Sequence, residues 1–165
     1  MVRRASSTTT LVDFARERLF GPLGIERFEW MRFGPGARTT FASGGASLRP
    51  RDMAKLGALY LDGGVWRGRQ VVSRAWVDAS TRMTVPLAAS YPTIYGYGYN
   101  WWLGRSAFRG GRVDYFRASG WGEQHIYVYP ALDLVVVFTA GAYSTSLPLD
   151  LNELIEDHIL AAINR

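Results

Sequence analysis

The chain has no cysteine, and Lys55 is its only lysine. The first absence excludes a disulfide, a zinc–thiolate site and a cysteine nucleophile. No apolar run approaches the roughly 18 residues that a membrane helix needs, so no membrane span is expected. The opening Met1-Val2-Arg3-Arg4 is basic but is followed by no apolar stretch, and it does not read as a secretory signal. Neither feature assigns a compartment. The two histidines, His125 and His158, lie far apart with no matching third ligand, so no metal is expected. Gly34-Pro35-Gly36 and Gly44-Gly45 lack the Lys-Ser/Thr of a phosphate loop and read as turns, and no cofactor is implied. No Gly-x-Ser-x-Gly nucleophile elbow occurs.

What is present describes a globular domain. With 165 residues, 48% hydrophobic and 20% charged, the chain is long enough for one real core and too apolar for disorder. The net charge of +5 rests almost wholly on arginines spread from Arg3 to Arg165. A nucleic-acid reader would gather them into a stripe. The nearest approach is Arg109 and Arg112 beside Phe108 and Tyr115, and a solvated arginine-rich surface is the better reading.

Periodicity predicts a helix from Leu11 to Phe20, ended by Gly21-Pro22-Leu23-Gly24. A second helix runs from Pro50 to about Leu61, with Met53, Leu56, Leu59 and Tyr60 as its buried stripe. Ser73 reads as the N-cap of a short third. The second half is strand-like: after the Gly-aromatic stretch from Tyr95 to Leu103 come 113–118, 124–129 and 134–140. Pro130–Asp133 makes a hairpin loop between the last two. Leu134-Val135-Val136-Val137-Phe138, apolar on both faces, reads as a central strand of a three- or four-stranded sheet. A closing helix spans 149–163, with Leu151, Leu154, Ile155, Ile159 and Ala162 buried and His158 on the stripe's edge. The class is α+β. Such a sheet needs cover on both faces, and the early helices look modest for it, so an assembly larger than a monomer is expected.

Several blocks carry a resemblance. They are Phe14–Ile25, Arg51-Asp52-Met53-Ala54-Lys55-Leu56-Gly57, Gly64-Val65-Trp66-Arg67-Gly68 and Tyr97-Gly98-Tyr99-Asn100-Trp101-Trp102, then Ala118-Ser119-Gly120-Trp121-Gly122-Glu123-Gln124, running into Asp133–Thr139. In this order they resemble the serine β-lactamase and D,D-peptidase-like hydrolases, in the branch of esterases and 6-aminohexanoate-dimer hydrolases. The resemblance covers that family's C-terminal half and implies the C-terminal part of its fold, so 1–165 is expected to be one partial domain. Family members carry a nucleophilic Ser with a Lys three residues on, then Tyr-x-Asn or Ser-x-Asn, then a Lys-Thr-Gly-type strand. Asp52 stands three residues before Lys55, and neither middle motif occurs. The catalytic nucleophile and base are therefore expected to be absent, and the chain alone inactive, since an unassisted serine hydroxyl is a poor nucleophile.

The third element survives. By the resemblance, Ala118, Ser119, Gly120, Trp121, Gly122 and Glu123 form the substrate-binding segment. Ala118 lacks the charge that would hold a substrate carboxylate, and the Trp121 backbone N–H is the implied oxyanion donor. Glu123 stands where relatives often have a second Gly and reads as a surface carboxylate rather than a base. Ser119 is read as a binding hydroxyl and not a nucleophile, because no base stands near it in sequence. His125, alternating with Tyr127 and Tyr129, reads as structural, and Trp101-Trp102 as core. Two functions fit. One is a portion of a serine hydrolase on small amide or ester substrates, pairing with its missing N-terminal half or with itself; the other is a non-catalytic ligand- or protein-binding module.

Overall fold

The computed structural model describes residues 10–32, 40, 42, 44–88, 93–143 and 151–163. The chain begins with helix α1 (Leu11–Ala15), capped by the Thr10 hydroxyl, and continues as a π-helical turn over Arg16–Phe20. Strands β1 (Glu29–Trp30) and β2 (Ala46–Ser47) pair antiparallel. Helix α2 (Pro50–Leu61) has the predicted bounds. A small hairpin, β3 (Val65–Trp66) and β4 (Arg69–Gln70), turns at Arg67-Gly68, both at positive φ. In helix α3 (Arg74–Ser80) the Ser73 hydroxyl caps the Trp76 N–H, as expected.

The second half is one antiparallel meander of six strands, more than the sequence indicates. They are β5 (Val85–Pro86), β6 (Ile94–Tyr97), β7 (Trp102–Phe108), β8 (Gly111–Gly120), β9 (Gln124–Tyr129) and β10 (Leu134–Phe138), each beside its sequence neighbour. The chain closes with α4 (Leu151–Leu154), continued by a π-helical stretch at Ile155–Leu160. The expectation at 149–150 lies outside the described residues.

Alternation along the strands sorts the core into two layers. One face of the sheet presents Val113, Tyr115, Tyr127, Tyr129 and Val136 to Ile155 and Leu160 of the closing helix. The other presents Leu103, Phe116, Ile126 and Val128 to Met53, Leu56 and Tyr60 of α2, with Trp101 in the same cluster. Beyond α2, Leu59 packs with Ala15, Phe20, Leu23 and Ile25. The chain thus supplies cover for both faces of its own sheet.

Two expectations are corrected. Leu134–Phe138 is an edge strand, not a central one, and its two-sided apolarity comes from contact with a helix on each face. Among the described residues no strand pairs with its outer edge. In the closing helix Leu151, Ile155 and Leu160 are buried, Leu154 is 38% exposed and His158 is exposed. The i→i+5 step of the π-helical turn changes the phase of the apolar stripe, which a strict 3.6 period misplaces.

The lone lysine is structural. Its Nζ bonds Asp52 at 2.8 Å and the Gly24 carbonyl at 2.8 Å, and Arg49 Nε holds the other Asp52 oxygen at 2.9 Å. Asp52 is 1% exposed. Burial alone would raise its pKa, but the bonds to Lys55 and Arg49 outweigh it and hold the carboxyl below its usual range. The blocks Gly21–Ile25 and Arg51–Gly57 are therefore tied by Lys55, which the buried Asp52 holds in place.

Candidate functional site

Strand β8 ends at Gly120 and β9 begins at Gln124, so Trp121-Gly122-Glu123 is a three-residue turn. Gly122 and Glu123 both sit at positive φ, +78° and +64°. At Gly122 no side chain fits, since a Cβ would lie 2.3 Å from the Tyr143 ring. The turn is pinned from outside. Gln124 Nε2 donates to the Gly122 carbonyl at 2.8 Å and to that of Ala140, which follows β10. Trp121 is 79% exposed and meets the Tyr143 ring edge-on, 5.3 Å between centroids.

The hairpin register sets Ser119 opposite His125, and Glu123 lies two residues before His125 on the same face. Their side chains form a chain of hydrogen bonds. Ser119 Oγ lies 3.0 Å from His125 Nδ1, and His125 Nε2 lies 2.7 Å from Glu123 Oε2. Ser119 is exposed, the imidazole is 5% exposed, and Glu123 is partly exposed. Next along the same face, Arg117 bonds the Tyr127 hydroxyl and stacks over its ring.

Burial is the main influence on the imidazole and pushes its pKa down. Glu123 pulls it up, the Arg117 charge opposes it again, and the net result lies below the ordinary histidine value of 6.5. At neutral pH the ring is therefore uncharged, and its contact with Glu123 is a hydrogen bond to a carboxylate rather than an ion pair. A consequence for stability follows. The unfolded chain takes up the proton first, so the stability contributed by the neutral ring is complete above about pH 6.5 and is lost as pH falls toward the lower folded value. The melting temperature is expected to drop between pH 7.5 and 5.5, and less steeply in His125→Gln. Parallel profiles for the two proteins would remove His125 as the cause.

The predicted site residues are not all brought together. Ser119, Trp121, Gly122 and Glu123 gather at one end of the β8–β9 hairpin. Ala118 faces the other way, against the cluster of Phe116, Ile126 and Val128. Sequence reasoning overlooked the partnership of Ser119 with His125. The signal was available in the turn: three residues between Gly120 and Gln124 put Ser119 and His125 opposite each other. A cleft of about 700 Å³ at Phe14, Arg18, Arg69 and Val71 does not include the hairpin. Smaller cavities at Phe28 and Leu48 and at Phe108 and Glu156 do not include it either. Among the described residues no group of three or more His, Asp or Glu side chains could hold a metal ion. No helix there is long and apolar enough to cross a membrane.

The Beta-lactamase family model matches residues 1–158. A 6-aminohexanoate-dimer hydrolase from Paenarthrobacter ureafaciens is 33% identical over 103 residues, covering 59% of this chain and 25% of that protein. A structure assigned as a 6-aminohexanoate-dimer hydrolase from Bacillus anthracis superposes with a TM-score of 0.75 at 19% identity, over 99% of this chain and 40% of that one. An octameric penicillin-binding protein homologue from Pyrococcus abyssi gives a TM-score of 0.61 at 17% identity, over 91% and 37%. The chain thus spans a quarter of the curated relative's length and 40% of the Bacillus structure's.

Proposed function

We propose, from the premise that this chain belongs to the beta-lactamase family, that it is the C-terminal portion of a serine hydrolase acting on small amide or ester substrates through an acyl-serine. The observation that carries the reading is the Ser119-Gly120-Trp121 segment, displayed at the end of a strand within the family's α+β sheet. In this reading 1–165 is one partial domain. Ser119, Gly120, Trp121, Gly122 and Glu123, with Ala118 behind them, form one wall of the substrate cleft. The Trp121 N–H is one oxyanion donor. The nucleophile and its base come from outside this chain, because Lys55 is committed to Asp52 and Gly24 and has no serine three residues before it.

The chain alone is then expected to leave nitrocefin unhydrolysed above background and to gain no acyl mass on incubation with it. A stoichiometric adduct by intact-mass spectrometry, lost on changing one serine to Ala, would overturn this. The outer edge of β10, with which no strand among the described residues pairs, supports pairing with the missing N-terminal half or with a second copy, because such an apolar edge strand is a template for another strand. A dimer or larger species is expected by light scattering, and a monodisperse monomer would count against self-association.

A second reading has an observation of its own. The Ser119 hydroxyl is already held by His125, and Ser119 is exposed. That arrangement suits a non-catalytic module that binds a ligand or a protein on an open surface.

A further inference from the structure

We infer that the Ser119–His125–Glu123 chain sets the polarity of the site so that it takes a ligand bearing an ammonium group and rejects one bearing a carboxylate. The inference rests on the proposed role of Ser119 as a ligand-facing hydroxyl.

An ionised Glu123 can only accept, so the 2.7 Å contact requires the proton to sit on His125 Nε2. A neutral imidazole carries one N–H, which leaves Nδ1 as a bare lone pair. Nδ1 must then accept, and the Ser119 O–H donates to it at 3.0 Å. The hydroxyl proton is spent inside the protein, and the oxygen of the exposed residue Ser119 offers only lone pairs to a ligand. A carboxylate, itself only an acceptor, finds no donor in this hydroxyl. An ammonium group or a protonated amine does.

Two neighbours act in the same sense, and a third adds no opposing charge. Glu123 Oε2 is bonded to the ring, and Oε1 makes no hydrogen bond among the described residues, so a formal negative charge stands beside the hydroxyl. Ala118 supplies no cation, and it faces away. Trp121 leaves its indole exposed at the same turn, and an indole face attracts cations. An opposing charge stands on this face at Arg117, whose guanidinium bonds the Tyr127 hydroxyl and stacks over its ring. His125 and Glu123 are thus positioning residues: they act on the ligand through Ser119 and through charge.

The experiment uses the full chain and two probes of matched shape, benzylammonium and benzoate. Binding is followed by NMR through the amides of Ser119, Gly120 and Trp121 and the Trp121 indole N–H. Benzylammonium is expected to bind roughly tenfold or more tightly than benzoate, the scale of one charge-assisted hydrogen bond. Glu123→Gln should shrink that preference, Ser119→Ala should lose benzylammonium binding, and Ser119→Thr should restore it. Imidazole ¹⁵N spectra at neutral pH should show Nε2 protonated and Nδ1 bare, a signature that a merely structural histidine need not give. Equal or tighter binding of benzoate, no shift with either probe, an unaffected Ser119→Ala, or a proton on Nδ1 would each overturn the inference. These readouts need no turnover. The placement of the nucleophile outside this chain can therefore fail in the acylation experiment while this inference stands, and the reverse.

Discussion

Replacing Gly57 with alanine is expected to destabilise the protein by about 1–3 kcal/mol, the usual cost of forcing extra volume into a packed core. Helix propensity predicts the opposite sign. Gly57 lies inside α2, where alanine is favoured by about 1 kcal/mol. The structure decides between them. A Cβ on Gly57 would lie 2.5 Å from Val135 Cγ1 and 2.9 Å from Ile126 Cγ2, on neighbouring strands of the sheet. Both neighbours are β-branched and stiff at χ1, and Ile126 is only 7% exposed, so neither yields easily. Glycine here lets the helix approach the sheet closely enough to cover it. Urea denaturation of the two proteins measures the difference, and a Gly57→Ala variant more stable than the parent would show that the helix shifts freely.

The second large effect is expected at Ile155→Ala. Ile155 is 0% exposed and packs with Leu160 against Tyr115, Tyr127, Tyr129 and Val136. Truncating such a side chain costs about 2–5 kcal/mol, a large part of the roughly 5–15 kcal/mol that holds a domain folded. For a chain of this size the melting temperature should fall by roughly 5–15 °C. The informative control is its neighbour. Leu154 is apolar and one residue away but exposed, so Leu154→Ala should change stability by less than about 0.5 kcal/mol. If the two substitutions cost the same by calorimetry, the π-helical phase of the closing helix is wrong and the regular α-helical stripe is right.

These residues mark where sequence and tertiary structure divide the work. The element types in α2 and α3 were legible because they are announced locally, by Pro50 at a helix start, by Ser73 as a cap and by apolar spacing. The last hairpin was equally legible, since Pro130–Asp133 interrupts two strand-like runs. The family was legible too, because its blocks are contiguous stretches whose order survives in the chain. The position of β10 in the sheet was not. A strand between two helices and a strand between two strands bury the same side chains, so apolarity alone cannot tell an edge from a centre. Leu154 was misplaced because a single i→i+5 turn leaves no mark in composition. Nor could sequence reveal that Lys55, anchored by the buried Asp52, ties two distant motifs through the Gly24 carbonyl. The same limit hid the site's polarity. Ser119, Glu123 and His125 are each unremarkable as residue types. Only the register of one hairpin, which depends on pairing across the turn, sets a bare imidazole nitrogen against a serine hydroxyl and a carboxylate behind it.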